Sequence, residues 1–229
     1  MKQNITVKRS SLLFLTRAAA IAALYVVLSE IANLLGLCSG VIQCRLSEAL
    51  TILPAFLTEA IPGLFIGCLL TNILTGCAPL DIALGPVATL IGAVGTFLIG
   101  FAVRSILLRS SEKKASLSAA DASASTFRRV LSGILRFLRY ALLVAALALP
   151  PIVANAGIVP YVLRHAYGVE DGYGYLILTV GAGEVIACGI LGGILLDALL
   201  RNAFTRNMLA GEPKNKATNQ PEEEALIAD

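Results

Sequence analysis

Four apolar stretches constrain this chain more than any other feature: about Ser11–Leu37, Pro79–Leu108, Leu135–Tyr161 and Tyr173–Leu200. A hydrocarbon layer about 30 Å thick needs about 20 apolar residues in a helix, and each stretch reaches that length. Inside lipid the backbone must satisfy its own hydrogen bonds, which long apolar stretches do as helices. Composition agrees, with 57% of the 229 residues hydrophobic and 14% charged, against about 45–50% and about 25% in soluble domains. A secreted globular domain, a cytosolic enzyme and a disordered protein are thereby excluded.

A fifth apolar stretch, Leu46–Thr75, is broken by Pro54 and by Pro62-Gly63. It is either one interrupted span or two short ones joined by a turn near Thr58-Glu59. The basic residues choose. With two spans the chain has six helices, and sixteen of the eighteen Lys and Arg residues fall on one side, leaving Arg45 and Arg164 on the other. With one span the cluster from Arg104 to Arg139 would face outward, against the positive-inside rule. The expectation is an all-α integral membrane protein of six transmembrane helices with both termini cytoplasmic. Residues 1–10 form an N-terminal tail and 11–204 the membrane domain, with a connector at about 109–133. Residues 205–229 form a polar, disordered tail. The heart of the connector, Ser110–Thr126, is rich in Ser and Ala and reads as flexible. The first stretch is too long and too polar, with Arg17, Glu30 and Asn33, for a cleaved signal peptide.

Charged groups inside a span cost roughly 2.5–3.5 kcal/mol at the helix centre and commonly mark a substrate path. Glu184 stands well inside the last stretch among Gly181, Ala182 and Gly183, small residues that permit close approach. It either contacts a ligand or is a buried acid paired with Arg45 or bonded to Asn155. Arg45 and Glu48 are three apart and share a helix face. They either pair and cap the second helix, with Ser47, or join Gln43 at the mouth of a short, proline-interrupted segment, the best sequence pointer to a membrane binding site. Asn72 and Asn155 add amides, and Glu30 is a further candidate at the outer end of the first helix. Asp197 is explained by Arg201 four residues on. Ala18 and Ala22, with Ala19 and Ala23, make a small-residue stripe that serves packing within the chain or docking of another membrane subunit.

No CxxC pair occurs, so neither a redox pair nor a zinc ribbon is indicated. Cys38 and Cys44 either meet across a short loop or are small apolar fillers. With His165 the lone histidine, a histidine-based metal site is not expected, and neither is a catalytic triad. No metal, cofactor or nucleic acid is expected.

The run Ile42-Gln43-Cys44-Arg45-Leu46-Ser47-Glu48-Ala49-Leu50-Thr51-Ile52-Leu53-Pro54 resembles the motif of the QueT family, substrate-binding S components of energy-coupling factor (ECF) transporters for queuosine precursors. Thr16-Arg17-Ala18-Ala19, Ala23-Leu24-Tyr25, Ala60-Ile61-Pro62-Gly63-Leu64-Phe65-Ile66-Gly67-Cys68, Asn72 and Gly183-Glu184 extend the resemblance from about Thr16 to Leu200. It implies a six-helix, non-enzymatic binding subunit in the bacterial cytoplasmic membrane. Its pocket would lie toward the outer side, with Leu37–Arg45 as a lid over Asn155 and Glu184. It also implies docking through Ala18, Ala19, Ala22 and Ala23 to a transmembrane coupling subunit that carries two ATPases. The implied ligand is a 7-deazaguanine: 7-aminomethyl-7-deazaguanine, the nitrile analogue, or queuine. A carboxylate, Glu184 or Glu48, suits the paired N–H donors of a guanine-like edge. Gln43, Asn155 or Arg45 suits its carbonyl, and Tyr25, Tyr161 or Tyr173 could stack on the ring. The chain has no GxxxxGK[ST] loop and so does not hydrolyse ATP through one. The rival readings are an S component for another vitamin or nucleobase, and an autonomous proton-coupled carrier relaying through Glu48 and Glu184.

Overall fold

The computed structural model describes residues 2–37, 44–114 and 126–201. Gln43, Cys38 and most of the expected lid lie outside the described residues, as does the tail beyond Arg201. The regular elements are all helical: α1 Lys2–Leu34, α2 Leu46–Ala55, α3 Ala60–Leu74, α4 Pro79–Lys114, α5 Thr126–Ala166 and α6 Tyr173–Arg201. Four contain segments long and apolar enough to cross a membrane: Ser11–Leu34, Pro79–Val103, Leu131–Ala166 and Tyr173–Arg201. Large apolar side chains such as Leu15, Val27, Leu98, Leu142, Val153 and Leu178 stand exposed on their outer faces, as suits a bundle whose solvent is lipid.

The stretch 46–75 is two elements, with a turn over Phe56–Glu59. The packing fixes their directions. Gly63 lies against Ala18 and Ile21, and Gly67 against Ala22 and Tyr25, so α1 and α3 run parallel. A Cβ at Gly67 would sit 2.7 Å from the Tyr25 Cβ; only glycine lets these helices approach so closely. α2 runs the opposite way, from Ser47, bonded to Ser29 at 2.8 Å, down to Ala55 against Gly100. The Arg17–Glu59 ion pair, 3.0 Å long, ties α1 to the α2–α3 turn at that lower end.

α2 is a 3-10 helix of ten residues, buried from Ser47 to Ala55. At about 2.0 Å per residue it spans about 20 Å, where an α-helix of that length would span about 15 Å. Packing on all sides, against α1, α4 and α6, holds a conformation that seldom runs this long.

α4 and α5 form an antiparallel pair in which Gly92 and Gly95 meet Pro151 and Pro150. Pro151 has no N–H to give the Leu147 carbonyl one turn earlier. The Thr96 hydroxyl supplies the missing donor at 2.9 Å, which keeps two adjacent prolines tolerable inside a span. α4 continues as helix to Lys114, into the connector expected at about 109–133, and α1 begins at Lys2, within the segment read as an N-terminal tail. Neither segment contains a helix breaker, so helix propagates out of the apolar stretch. α6 contains a π-helical segment, Val185–Leu191. By compactness the chain divides after Leu196; in the second unit Arg201 Nε lies 2.8 Å from Asp197 Oδ2, the expected helix-end pair.

Candidate functional site

At the upper end of the bundle, opposite Arg17 and Glu59, is a cavity of about 660 Å³. α1 contributes Tyr25, Ser29, Glu30 and Asn33, and α3 contributes Thr71 and Asn72. Asp81 enters from the first turn of α4, Arg45 from the residue before α2, and Tyr167 from the loop after α5. Val159, Val162 and Leu163 of α5 give it an apolar wall. Pockets for small heterocycles are typically about 300–1,000 Å³ with a few placed polar groups.

The expected site residues divide between two levels. Glu30, Arg45 and Asn72 line the cavity. Glu48, Asn155 and Glu184 lie among the buried residues outside its lining. Tyr25 joins the two: its ring lines the cavity and its hydroxyl donates to Glu48 Oε1 at 2.5 Å. Asn155 and Thr89 approach the same Glu48 carboxyl group, and Asn155 also approaches Glu184. The 3-10 geometry of α2 turns Glu48 inward, where it is 1% exposed.

Arg45 forms no ion pair with Glu48 or Glu184 among the described residues. Its Nη2 lies 3.9 Å from Asp81 Oδ2, so the expected Arg45–Glu48 cap is replaced by a bridge from α2 to α4. Glu184 Oε2 instead accepts from the Cys188 thiol at 3.1 Å, across the start of the π-helical segment. Cys188 also accepts from the Thr51 hydroxyl at 3.3 Å. The ligand atoms of Glu48, Glu184 and Cys188 lie within 4.8 Å of one another and are buried. Tyr25 donates to Glu48, Cys188 to Glu184 and Thr51 to Cys188, and we assign the group no metal.

Asp81 and Tyr167 were not singled out in the sequence. The Tyr167 hydroxyl donates to Asp81 Oδ2 at 2.9 Å and accepts from the Ala78 N–H at 3.1 Å. Partial burial, then the hydrogen bond with Cys77 and the Asp81 charge, hold this phenol above its ordinary pKa, so it stays a donor. The available signal was an acid two residues after Pro79, at a helix start. A helix N-terminus favours such an acid unaided, so the residue type alone carries no sign of a site. Asn72 donates to the Asp81 carbonyl at 3.0 Å. Tyr161 is exposed and stacks on His165, and Tyr173 is exposed too. Of the three tyrosines considered for ring stacking, Tyr25 alone faces the cavity.

Four buried side-chain atoms have no hydrogen-bond partner among the described residues: Glu48 Oε2, Thr71 Oγ1, Asp81 Oδ1 and Asn155 Nδ2. All four belong to the cavity or to the cluster beneath it. Each such atom costs about 1–3 kcal/mol, a penalty that functional sites carry and ordinary cores avoid.

The alanine stripe is divided. Ala18 and Ala22 are each 5% exposed and packed on Gly63 and Gly67, so they have no surface to offer another subunit. Ala19 and Ala23 are exposed.

Comparison with curated proteins and with solved structures returns no match. The family model described as QueT transporter matches residues 15–201. That range holds α1 from residue 15, the other five helices in full and both levels of the site. By that match over most of its length, the chain belongs to the QueT transporter family.

Proposed function

We propose that this chain is the substrate-binding subunit of an ATP-driven ECF importer in the bacterial cytoplasmic membrane, and that it captures a 7-deazaguanine queuosine precursor from outside. The observation that carries this reading is the gathering of unpartnered buried polar atoms around one cavity. They include both acceptors and donors, as a planar base with mixed edges requires. In this reading Glu48 and Glu184 accept from the N–H edge, Asn155 donates to the ring carbonyl, and Tyr25 supplies a ring face. Glu30, Arg45 and Asn72 hold the ligand at the mouth, with Gln43 in the lid. No covalent step is involved.

The side of entry follows from charge. α4 runs from Asp81 at the cavity to the basic stretch Arg104–Lys114 at its other end, an end that the positive-inside rule makes cytoplasmic. Power comes from elsewhere, since the sequence has no phosphate-cradling glycine loop. A coupling subunit with two ATPases would dock on the exposed Ala19 and Ala23 face of α1.

Calorimetry of deazaguanines on the purified chain tests the reading. Wild type binds, while Glu48→Gln and Glu184→Gln each weaken binding by roughly 10- to 100-fold, the worth of a charge-assisted bond. Wild-type affinity in both variants would remove the two acids from the site. Tight binding of riboflavin or thiamine instead would move the chain to another ligand. Uptake that persists without any ATPase and collapses with the proton gradient would favour an autonomous carrier.

A further inference from the structure

Resting on the reading of this cavity as a substrate site, we propose that Asp81 is the anchor for a primary ammonium group on the ligand. The preferred substrate is then a cationic amine carried on a heterocycle rather than its neutral analogue.

Asp81 is 5% exposed and lines the cavity. Its Oδ2 accepts one neutral hydrogen bond, from Tyr167. The nearest cation, Arg45 Nη2, stands 3.9 Å away, beyond hydrogen-bond reach. Its Oδ1 has no partner. A first-turn acid commonly caps backbone N–H groups, but this Oδ1 accepts from none. The Asn72 amide, which could have served it, is directed to the Asp81 backbone carbonyl. Gly85, one turn on, holds both groups against the helix; a Cβ there would lie 2.7 Å from Asn72 Nδ2 and 3.1 Å from Asp81 Oδ1. This buried carboxyl group therefore has one neutral donor and one guanidinium on Oδ2 and leaves Oδ1 open, and a buried polar atom calls for a partner.

Charge counting points the same way. The charged side chains lining the cavity are Glu30, Asp81 and Arg45, one acid in excess. An ammonium carries three donors and no acceptor. Asp81 would take one, and the unpartnered Thr71 hydroxyl on the same wall could accept another.

The test compares three probes by calorimetry: 7-aminomethyl-7-deazaguanine, its N-acetyl derivative and the nitrile analogue. On wild type the amine binds at least roughly tenfold tighter than either neutral probe, as a charge-assisted contact requires. Asp81→Asn erases that preference while leaving nitrile affinity within about threefold, which also shows that the variant is folded. Asp81→Glu retains part of the preference, and Glu30→Gln retains all of it. Equal wild-type affinity for the three probes overturns the proposal even if Asp81→Asn does not fold. So does a preference that survives in Asp81→Asn, or one lost in Glu30→Gln instead. If none of the three binds wild type, the ligand reading itself fails, a result distinct from binding without preference.

Discussion

Tyr25 is the residue on which the two levels of the site meet. It is 1% exposed, its ring closes the base of the cavity, and its hydroxyl satisfies one oxygen of Glu48. Tyr25→Phe would leave both oxygens of that carboxylate without a short donor. Hydrogen bonds to charged groups are worth about 1.5–3 kcal/mol in water-soluble proteins, whereas polar contacts in membrane bundles average about 0.6 and reach about 1.7 kcal/mol. The lipid setting decides, so the expected loss is about 1–2 kcal/mol, read as a melting temperature lower by several degrees in detergent. Combined with Glu48→Gln, the two losses should fall short of additive, because each removes the same contact; strict additivity would show that the bond contributes nothing. At this scale the sequence was partly legible. Glu48, Glu184 and Asn155 stood out because lipid leaves few innocent reasons for such residues in a span. Asp81 and Cys188 did not stand out: an acid at a helix start and a small thiol each have an ordinary explanation, and only their partners reveal otherwise.

Among the elements, α1 carries the sharpest contrast, between adjacent alanines. Ala22 is packed where the Gly67 surface touches it, and Ala23 is exposed. Ala22→Trp forces a large ring between helices that tolerate no Cβ at the crossing. Overpacking costs about 1–3 kcal/mol even for small insertions, so this variant should lose folded yield and ligand binding together. Ala23→Trp should keep the wild-type melting temperature and ligand affinity yet abolish uptake in cells containing the coupling subunit and ATPases. Uptake at the wild-type rate would take the docking surface off this face. The sequence could mark the stripe but not divide it, since a period of four identifies a row of small residues without saying what the row faces. The apolar spans within the long helices were legible because hydropathy reports them directly, whereas the helices themselves run beyond the spans at Lys2, Lys114 and Thr126. The 3-10 form of α2 and the π-helical segment after Glu184 were not, because both are imposed by neighbouring helices rather than by local propensity.

For the whole molecule, direction is the property that matters, because capture from outside, as proposed, requires the cavity to face outward. The packing gives the parity: α1 and α3 run parallel, α2 and α4 run against them, and the Arg17 end lies opposite the cavity. The broken stretch therefore crosses twice. Its two halves are individually too short to register as spans, yet the charge count alone required both, since one crossing would send the Arg104–Arg139 cluster to the wrong side. Placement in the membrane then rests on charge, and labelling tests it. In a cysteine-free background, Ser118→Cys in the connector should react with an impermeant thiol reagent only after cells are opened. Asp171→Cys, in the loop before α6, should react in intact cells. The reverse pattern would put the cavity on the cytoplasmic side and make export, rather than capture from outside, the direction its polar lining serves. Reaction at both positions in intact cells would break the six-helix parity itself, and with it the alignment of Glu48 and Glu184 at one depth in the bundle.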